Sequence, residues 1–208
     1  QRVSEGVTSD RDAYMFGVRV GKNFKNVRMN PTITFMHDYL SGTTDEDQRN
    51  NDWQSFNTVF DTGHKFYGLM DVFLGVGGGG NTGTQGLGLI DTAIKGKFTP
   101  VPGWTVKMDY HWFQTAEGFQ ANTVTHGSAV PTNGPTGCIN CDHGDSLGTE
   151  LDITVVTKYN ENTKVMLGYS HFDQEATFQQ LKNGGSDSSD LYGQDNADWA
   201  YVMFDVRF

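Results

Sequence analysis

Residues 104–112 alternate without a break: Trp104, Val106, Met108, Tyr110 and Trp112 hold the even positions, and Thr105, Lys107, Asp109 and His111 the odd ones. A helix would spread both sets around its circumference, whereas a strand sends them to opposite faces. The pattern recurs along the chain. Tyr14, Phe16, Val18 and Val20 alternate with Met15, Gly17, Arg19 and Gly21. Leu147, Thr149, Leu151, Ile153, Val155 and Tyr159 alternate with Gly148, Glu150, Asp152, Thr154 and Lys158. In the last ten residues Ala200, Val202, Phe204, Val206 and Phe208 share one face, with Trp199, Tyr201, Met203, Asp205 and Arg207 on the other. Weaker versions occupy 31–40, 87–98 and 163–173, giving seven strands of about 10–12 residues. Strands of that length, once tilted, cross a hydrocarbon layer and are about twice the usual length in soluble sheets.

The connections sort by length. Residues 21–30, 99–103 and 159–163 are short, whereas 41–86, 116–146 and 174–197 are long, polar and rich in Gly, Asn, Ser, Thr and Asp. The two kinds alternate, so all long loops fall at one end of the sheet. Transmembrane barrels have this asymmetry, with short inner turns and long outer loops. On the apolar faces, Tyr14, Tyr39 and Trp112 mark the long-loop end, and Phe98, Trp104, Tyr159 and Phe208 the short-turn end. Two such aromatic girdles suit the two membrane interfaces. A β-sandwich or soluble up-and-down barrel shares the alternation but not the girdles or the loop asymmetry. The fold expected is therefore all-β: a transmembrane antiparallel β-barrel, with residues 1–208 forming one barrel domain.

Composition agrees. The chain is 19% charged and 36% hydrophobic, mean hydropathy is −0.50, and no run approaches the roughly 18 apolar residues a spanning helix needs. Abundant aromatic and β-branched residues argue against disorder. A net charge of −10 argues against nucleic acid as a partner. The chain starts at Gln1 without Met or an apolar leader, which reads as a processed or partial chain. Seven strands, or nine if Asp52–Phe60 and Lys65–Leu74 form a further hairpin, is odd, whereas bacterial single-chain barrels are even-numbered and begin at about eight. An open edge in lipid leaves backbone groups unsatisfied. Strands upstream of Gln1, or a partner chain, are thus expected to close the barrel.

Parity places Arg19, Asp91, Lys95, Lys97, Lys107, Asp109, His111, Glu150, Asp152, Lys158, Lys164, Asp205 and Arg207 on the inner face. Nearly balanced charge with a slight basic excess points to a water-filled lumen with mild anion preference, because an apolar lining would block ions and a ring of one sign would select them. The plainer reading is that these side chains pair across strands and line a passive pore. Loop acids such as Asp45, Glu46, Asp47, Asp187, Asp190 and Asp195 read as a solvated exterior. Trp53, Phe56, Phe60, Phe66, Tyr67 and Phe73 in the first long loop either fold it into the mouth as a constriction or pair as the further hairpin. The glycine run from Gly77 lacks the spacing of a P-loop. Cys138 and Cys141 read as a small disulfide in the second long loop. The spacing fits neither haem attachment, since Asp142 separates Cys141 from His143, nor a complete zinc site, for which only His143 and His126 are near. Asp109, His111 and Ser170 lack the signature of a hydrolase triad. His37 and His171 fall on the outward parity, or each marks a bulge that reverses facing. Neither catalysis nor a cofactor is expected.

The final strand, Tyr201-Val-Met-Phe-Asp-Val-Arg-Phe208, ends on an outward aromatic and resembles the terminal signal of bacterial outer-membrane barrels. A narrower resemblance is carried by Asp38-Tyr-Leu-Ser-Gly42, Phe60-Asp-Thr-Gly-His-Lys-Phe-Tyr-Gly-Leu-Met-Asp71, Asp91-Thr-Ala-Ile-Lys95 with Trp104–Trp112, and Leu147-Gly-Thr-Glu-Leu-Asp152. These segments are similar to the C-terminal part of the alginate-export family of outer-membrane porins. The resemblance implies a larger barrel in the bacterial outer membrane whose lumen passes a polyanionic sugar or small solutes; no residue role is carried over. On this reading the chain is a porin for small hydrophilic or anionic solutes. Lys95, Lys97, Lys107, Arg19 and Arg207 would attract anions while Asp109, Glu150, Asp152 and Asp205 set a transverse field. The alternative is a structural barrel acting as a sheath or docking partner in a surface or electron-transfer assembly.

Overall fold

The computed structural model describes residues 10–44, 47, 52–58, 66–73, 83–84, 86–118, 145–175, 177–178, 181 and 196–207. The seven strands anticipated from period-two alternation are present: β1 (Met15–Asn23), β2 (Thr32–Leu40), β3 (Leu89–Phe98), β4 (Trp104–Gln114), β5 (Ser146–Lys158), β6 (Thr163–Gln174) and β7 (Ala197–Val206). They form one antiparallel sheet in sequence order. Among the described residues β1 pairs only with β2 and β7 only with β6, so the sheet is an open barrel wall. No described helix is long and apolar enough to cross a membrane.

The two faces invert the pattern of a water-soluble sheet. Val20, Ile33, Phe35, Ile94, Met108, Leu167, Val202 and Phe204 stand exposed on the outer face, Val20 at 66% and Phe204 at 65%. On the inner face Asp91, His111 and Glu150 are fully buried. A contiguous apolar surface of this extent requires an apolar solvent, since each square ångström left in water forfeits about 25 cal/mol. Rings sit at its margins. Tyr39 stacks on Tyr14 and Phe16 with centroids 5.8 and 5.2 Å apart, and Tyr110 meets Trp112 edge-on at 4.6 Å, all toward the long-loop end. Trp104 and Tyr159 stand exposed at the short-turn end; Phe208 lies outside the described residues. His37 and His171 keep their outward facing, bonded through Nδ1 to Thr92 Oγ1 at 2.9 Å and to Asp198 Oδ1 at 2.9 Å.

The facing reverses at a different residue. Phe113 pairs with Gly148 but Gln114 with Ser146, so Leu147 is an extra residue in a bulge, with Gly148 at φ +135°, a conformation that favours glycine. Alternation alone sets Leu147 beside Thr149 and Leu151 on the outer face. The bulge instead turns it inward, where it is fully buried. There it joins Leu40, Leu89, Phe113 and Phe172 from the strands and Tyr67, Phe73, Leu87 and Leu181 from the loops. Phe73 lies at the centre of this cluster, 4.6 Å from Phe113 and 5.9 Å from both Phe172 and Phe178. The described residues around Tyr67 and Phe73 of the first long loop are therefore folded onto the inner face. The loop's described parts, 52–58 and 66–73, form no strand of the sheet, though Trp53 makes an isolated bridge to Arg11. The insertion, not the further hairpin, is what the described residues show.

Met108→Arg, at the middle of the outer face of β4, is expected to lose about 2–4 kcal/mol of folding stability in lipid vesicles. Lys107→Gln, its inner-face neighbour, should change stability by less than about 0.5 kcal/mol. Urea unfolding followed by tryptophan fluorescence checks both.

Candidate functional site

The inner face divides along the strand axis. Toward the long loops lies a buried ionic network. His111 Nδ1 is 2.8 and 3.0 Å from the two oxygens of Asp91, and its Nε2 is 3.1 Å from Lys95 Nζ and 3.8 Å from Asp152 Oδ2. Lys95 also donates to Asp109 Oδ2 at 3.1 Å. Ser170 donates to Asp152 Oδ1 at 2.6 Å. Register explains the assembly: Lys95 opposes Asp109, His111 opposes Glu150, and Asp109 and Ser170 both oppose Asp152. One sheet face thus brings ionisable groups of three strands into contact, with the Ser170 hydroxyl from a fourth, and their mutual bonds offset the cost of burying them.

The inserted loop completes this network with backbone. Leu69 N–H donates to Asp152 Oδ2 at 3.3 Å and Met70 N–H to Glu150 Oε1 at 2.9 Å. Gly68 makes the approach feasible: its φ is +84°, and a Cβ there would lie 2.5 Å from the Glu150 carboxylate. Glu150 Oε2 and Asp38 Oδ1 are buried without a hydrogen-bond partner among the described residues. Asp38 is an inner-face acid absent from the sequence-derived set; its Oδ2 takes a 2.6 Å ion pair from Arg19. Its even-numbered position beside the buried Met36 and Leu40, opposite Asp91, was the available signal.

Toward the short turns the face is open and basic. Lys97 opposes Lys107, and Lys158 opposes Lys164. Like charges directly across a strand pair repel unless solvent or an anion lies between them. Asp205 is half-buried and opposes Lys164, with the exposed Arg207 3.9 Å away. All thirteen parity-selected ionisable residues except Arg207, which follows β7, lie on strands with the inner-face register. Between the two zones, under Gly68 and Leu69, a cleft of about 540 Å³ opens, walled by Lys95, Lys107, Asp109 and Thr154 on one side and by Trp199, Tyr201 and Met203 on the other. Sequence reasoning missed this aromatic wall as a site because Trp199 and Tyr201 read only as the inner parity of the last strand. Ser170 is held by Asp152, and both ring nitrogens of His111 are engaged by Asp91 and Lys95, so no serine–histidine pair forms here. Cys138, Cys141, His126 and His143 lie outside the described residues.

An all-β wall with an apolar outer face, a charged inner face and a loop folded across it defines an outer-membrane β-barrel transport protein. The family model described as alginate export matches residues 2–192. The chain belongs to that family, a family of transport proteins and porins rather than enzymes. A search of curated proteins returns no match.

Glu150→Ala removes the acceptor of the Met70 amide and is expected to raise protease cleavage within 66–73 about fivefold, in line with the roughly 1 kcal/mol of a hydrogen bond; Glu150→Gln, which keeps an acceptor, should cleave more slowly than Glu150→Ala. Glu117, just past β4, has its carboxyl pushed up by burial, with Asp47 adding repulsion. Its protonated form is favoured by folding, so its contribution is fully present below the ordinary carboxylate range and is lost as pH rises through the elevated value. Hydrogen exchange of the amides at 115–117 should accelerate over that rise, and Glu117→Gln should flatten the dependence.

Proposed function

We propose that this chain builds the wall of a passive channel in the bacterial outer membrane, carrying small hydrophilic or anionic solutes down their gradient without a cofactor. The observation that carries the reading is the axial division of the inner face. A solvated lysine zone, formed by Lys97, Lys107, Lys158 and Lys164 with Arg207 beside it, leads to a narrowed level where the inserted segment meets Glu150 and Asp152. Water in the lumen accommodates lysines that oppose one another, and their field concentrates anions at that end. Lys95 and Arg19 play a smaller part than sequence assigns them, because Asp109 and Asp38 already neutralise them. The acids of the narrow level, Asp91, Asp109, Glu150 and Asp152, act mainly by holding the inserted segment and His111. The edges of β1 and β7, which pair with no further strand among the described residues, call for further strands, from this polypeptide or a second chain, because a sheet edge in lipid leaves its backbone unsatisfied.

Protein folded in planar bilayers should give discrete open-channel steps with modest anion selectivity. Replacing Lys97, Lys107, Lys158 and Lys164 together by Gln should shift the reversal potential in a salt gradient toward cation preference while steps persist. Folded protein that inserts but gives no steps would support the sheath or docking role instead.

A further inference from the structure

The cleft under Gly68 and Leu69 has two unlike walls, and the contrast specifies a ligand. On β7, Trp199, Tyr201 and Met203 follow one another at every second residue of the inner face, opposite Ser170, Gly168 and Met166 on β6. The Trp199 and Tyr201 rings lie 4.8 Å apart at 34°, forming a nearly continuous aromatic surface. Gly168 permits this, since a Cβ there would fall inside the Tyr201 ring; the ring lies on the β6 backbone. Met203 remains 46% exposed at the end of this surface. Inside a polar lumen, this ladder of rings and a thioether presents a flat apolar surface to the cleft.

The opposite wall supplies one charge. Lys107 lines the cleft, opposes Lys97 across β3 and β4, and has no ion pair or hydrogen bond among the described residues. The carboxylates nearby do not compete for it or repel a ligand strongly, because their donors are already in place: Asp109 holds Lys95, and Asp152 accepts from Ser170 and the Leu69 amide. The volume of about 540 Å³ falls within the roughly 300–1,000 Å³ of small-molecule sites.

We propose that this cleft is a binding station for a small aromatic monocarboxylate, its ring against Trp199, Tyr201 and Met203 and its carboxylate on Lys107. The station rests on the channel reading and names a solute class for it. A sugar acid brings the same carboxylate but only a C–H face for the rings, so comparing benzoate with glucuronate separates the two classes.

Benzoate is the probe. In folded protein in planar bilayers, benzoate should interrupt the open-channel current in a saturable way. In detergent-folded protein, 4-nitrobenzoate should quench tryptophan fluorescence, with benzoate displacing it. Lys107→Gln and Trp199→Leu should each weaken displacement at least tenfold, with folding checked by far-ultraviolet circular dichroism. Lys25→Gln, in the β1–β2 turn, should leave it unchanged. Cyclohexanecarboxylate should bind more weakly than benzoate. Glucuronate binding as tightly as benzoate would overturn the aromatic assignment, and unsaturable quenching would overturn the station, as would displacement indifferent to both substitutions. Because the fluorescence measurement needs no conduction, current steps without benzoate binding sink the station alone. Benzoate binding without steps sinks the channel alone.

Discussion

The requirement that every backbone polar group be paired while the side chains around it face hydrocarbon governs this molecule. A strand placed in lipid meets no water to bond its amides, so it must lie between two other strands, and its outward side chains must be apolar. The outer face obeys closely: Phe16, Val18, Ile33, Ile94, Leu167 and Phe204 are exposed, and rings gather toward its margins. With one face given over to lipid, polar side chains have only the other to occupy. The crowding of Asp91, Lys95, Asp109, His111, Glu150 and Asp152 into mutual contact follows from that exclusion.

Crowded charges in turn shape the inserted loop. Buried carboxylates need donors, and the neighbouring strands supply too few: His111 serves Asp91, Ser170 serves one oxygen of Asp152, and Lys95 serves Asp109. The amides of Leu69 and Met70 supply two more, one each to Asp152 and Glu150. Because the donors are backbone groups, the latch constrains the path of the loop more than the identity of its side chains. Gly68 is an exception, since its positive φ and missing Cβ let the chain come within reach of Glu150. Phe73 then fixes the segment from its other end among Phe113, Phe172 and Phe178.

Strand positions and facing were legible because both depend on local alternation, which a lipid-facing wall imposes without compromise from Val106 through Trp112 or Val202 through Val206. What alternation hid was anything set by a single extra residue or by distant sequence. The bulge at Leu147 flips that side chain for lack of one register step, and Gly148 was the only local hint. The contacts of Leu69 and Met70 join residues 83 and 80 positions apart, and no periodicity reports such closure. Parity already set Asp38 with Thr32 and Thr34 on the polar face of β2, against Ile33, Phe35 and Tyr39, but the weak alternation of that strand left it out of the inner-face set; pairing with β1 and β3 puts it on the side of Arg19 and Asp91.

On the channel reading, holding and selecting fall to different parts of one wall. The acids nearest the loops are buried and bonded, so their fields are largely spent on Lys95, His111 and the loop amides. The lysines nearest the short turns face one another across β3–β4 and β5–β6 and keep their fields for whatever occupies the lumen. On that reading, changes in the lysine zone alter which ions are drawn in without loosening Gly68–Met70, and changes at Glu150 loosen that segment without discharging the lysines. The division follows from burial: a charge withdrawn from water must be partnered, and a charge left in water is free to act at a distance.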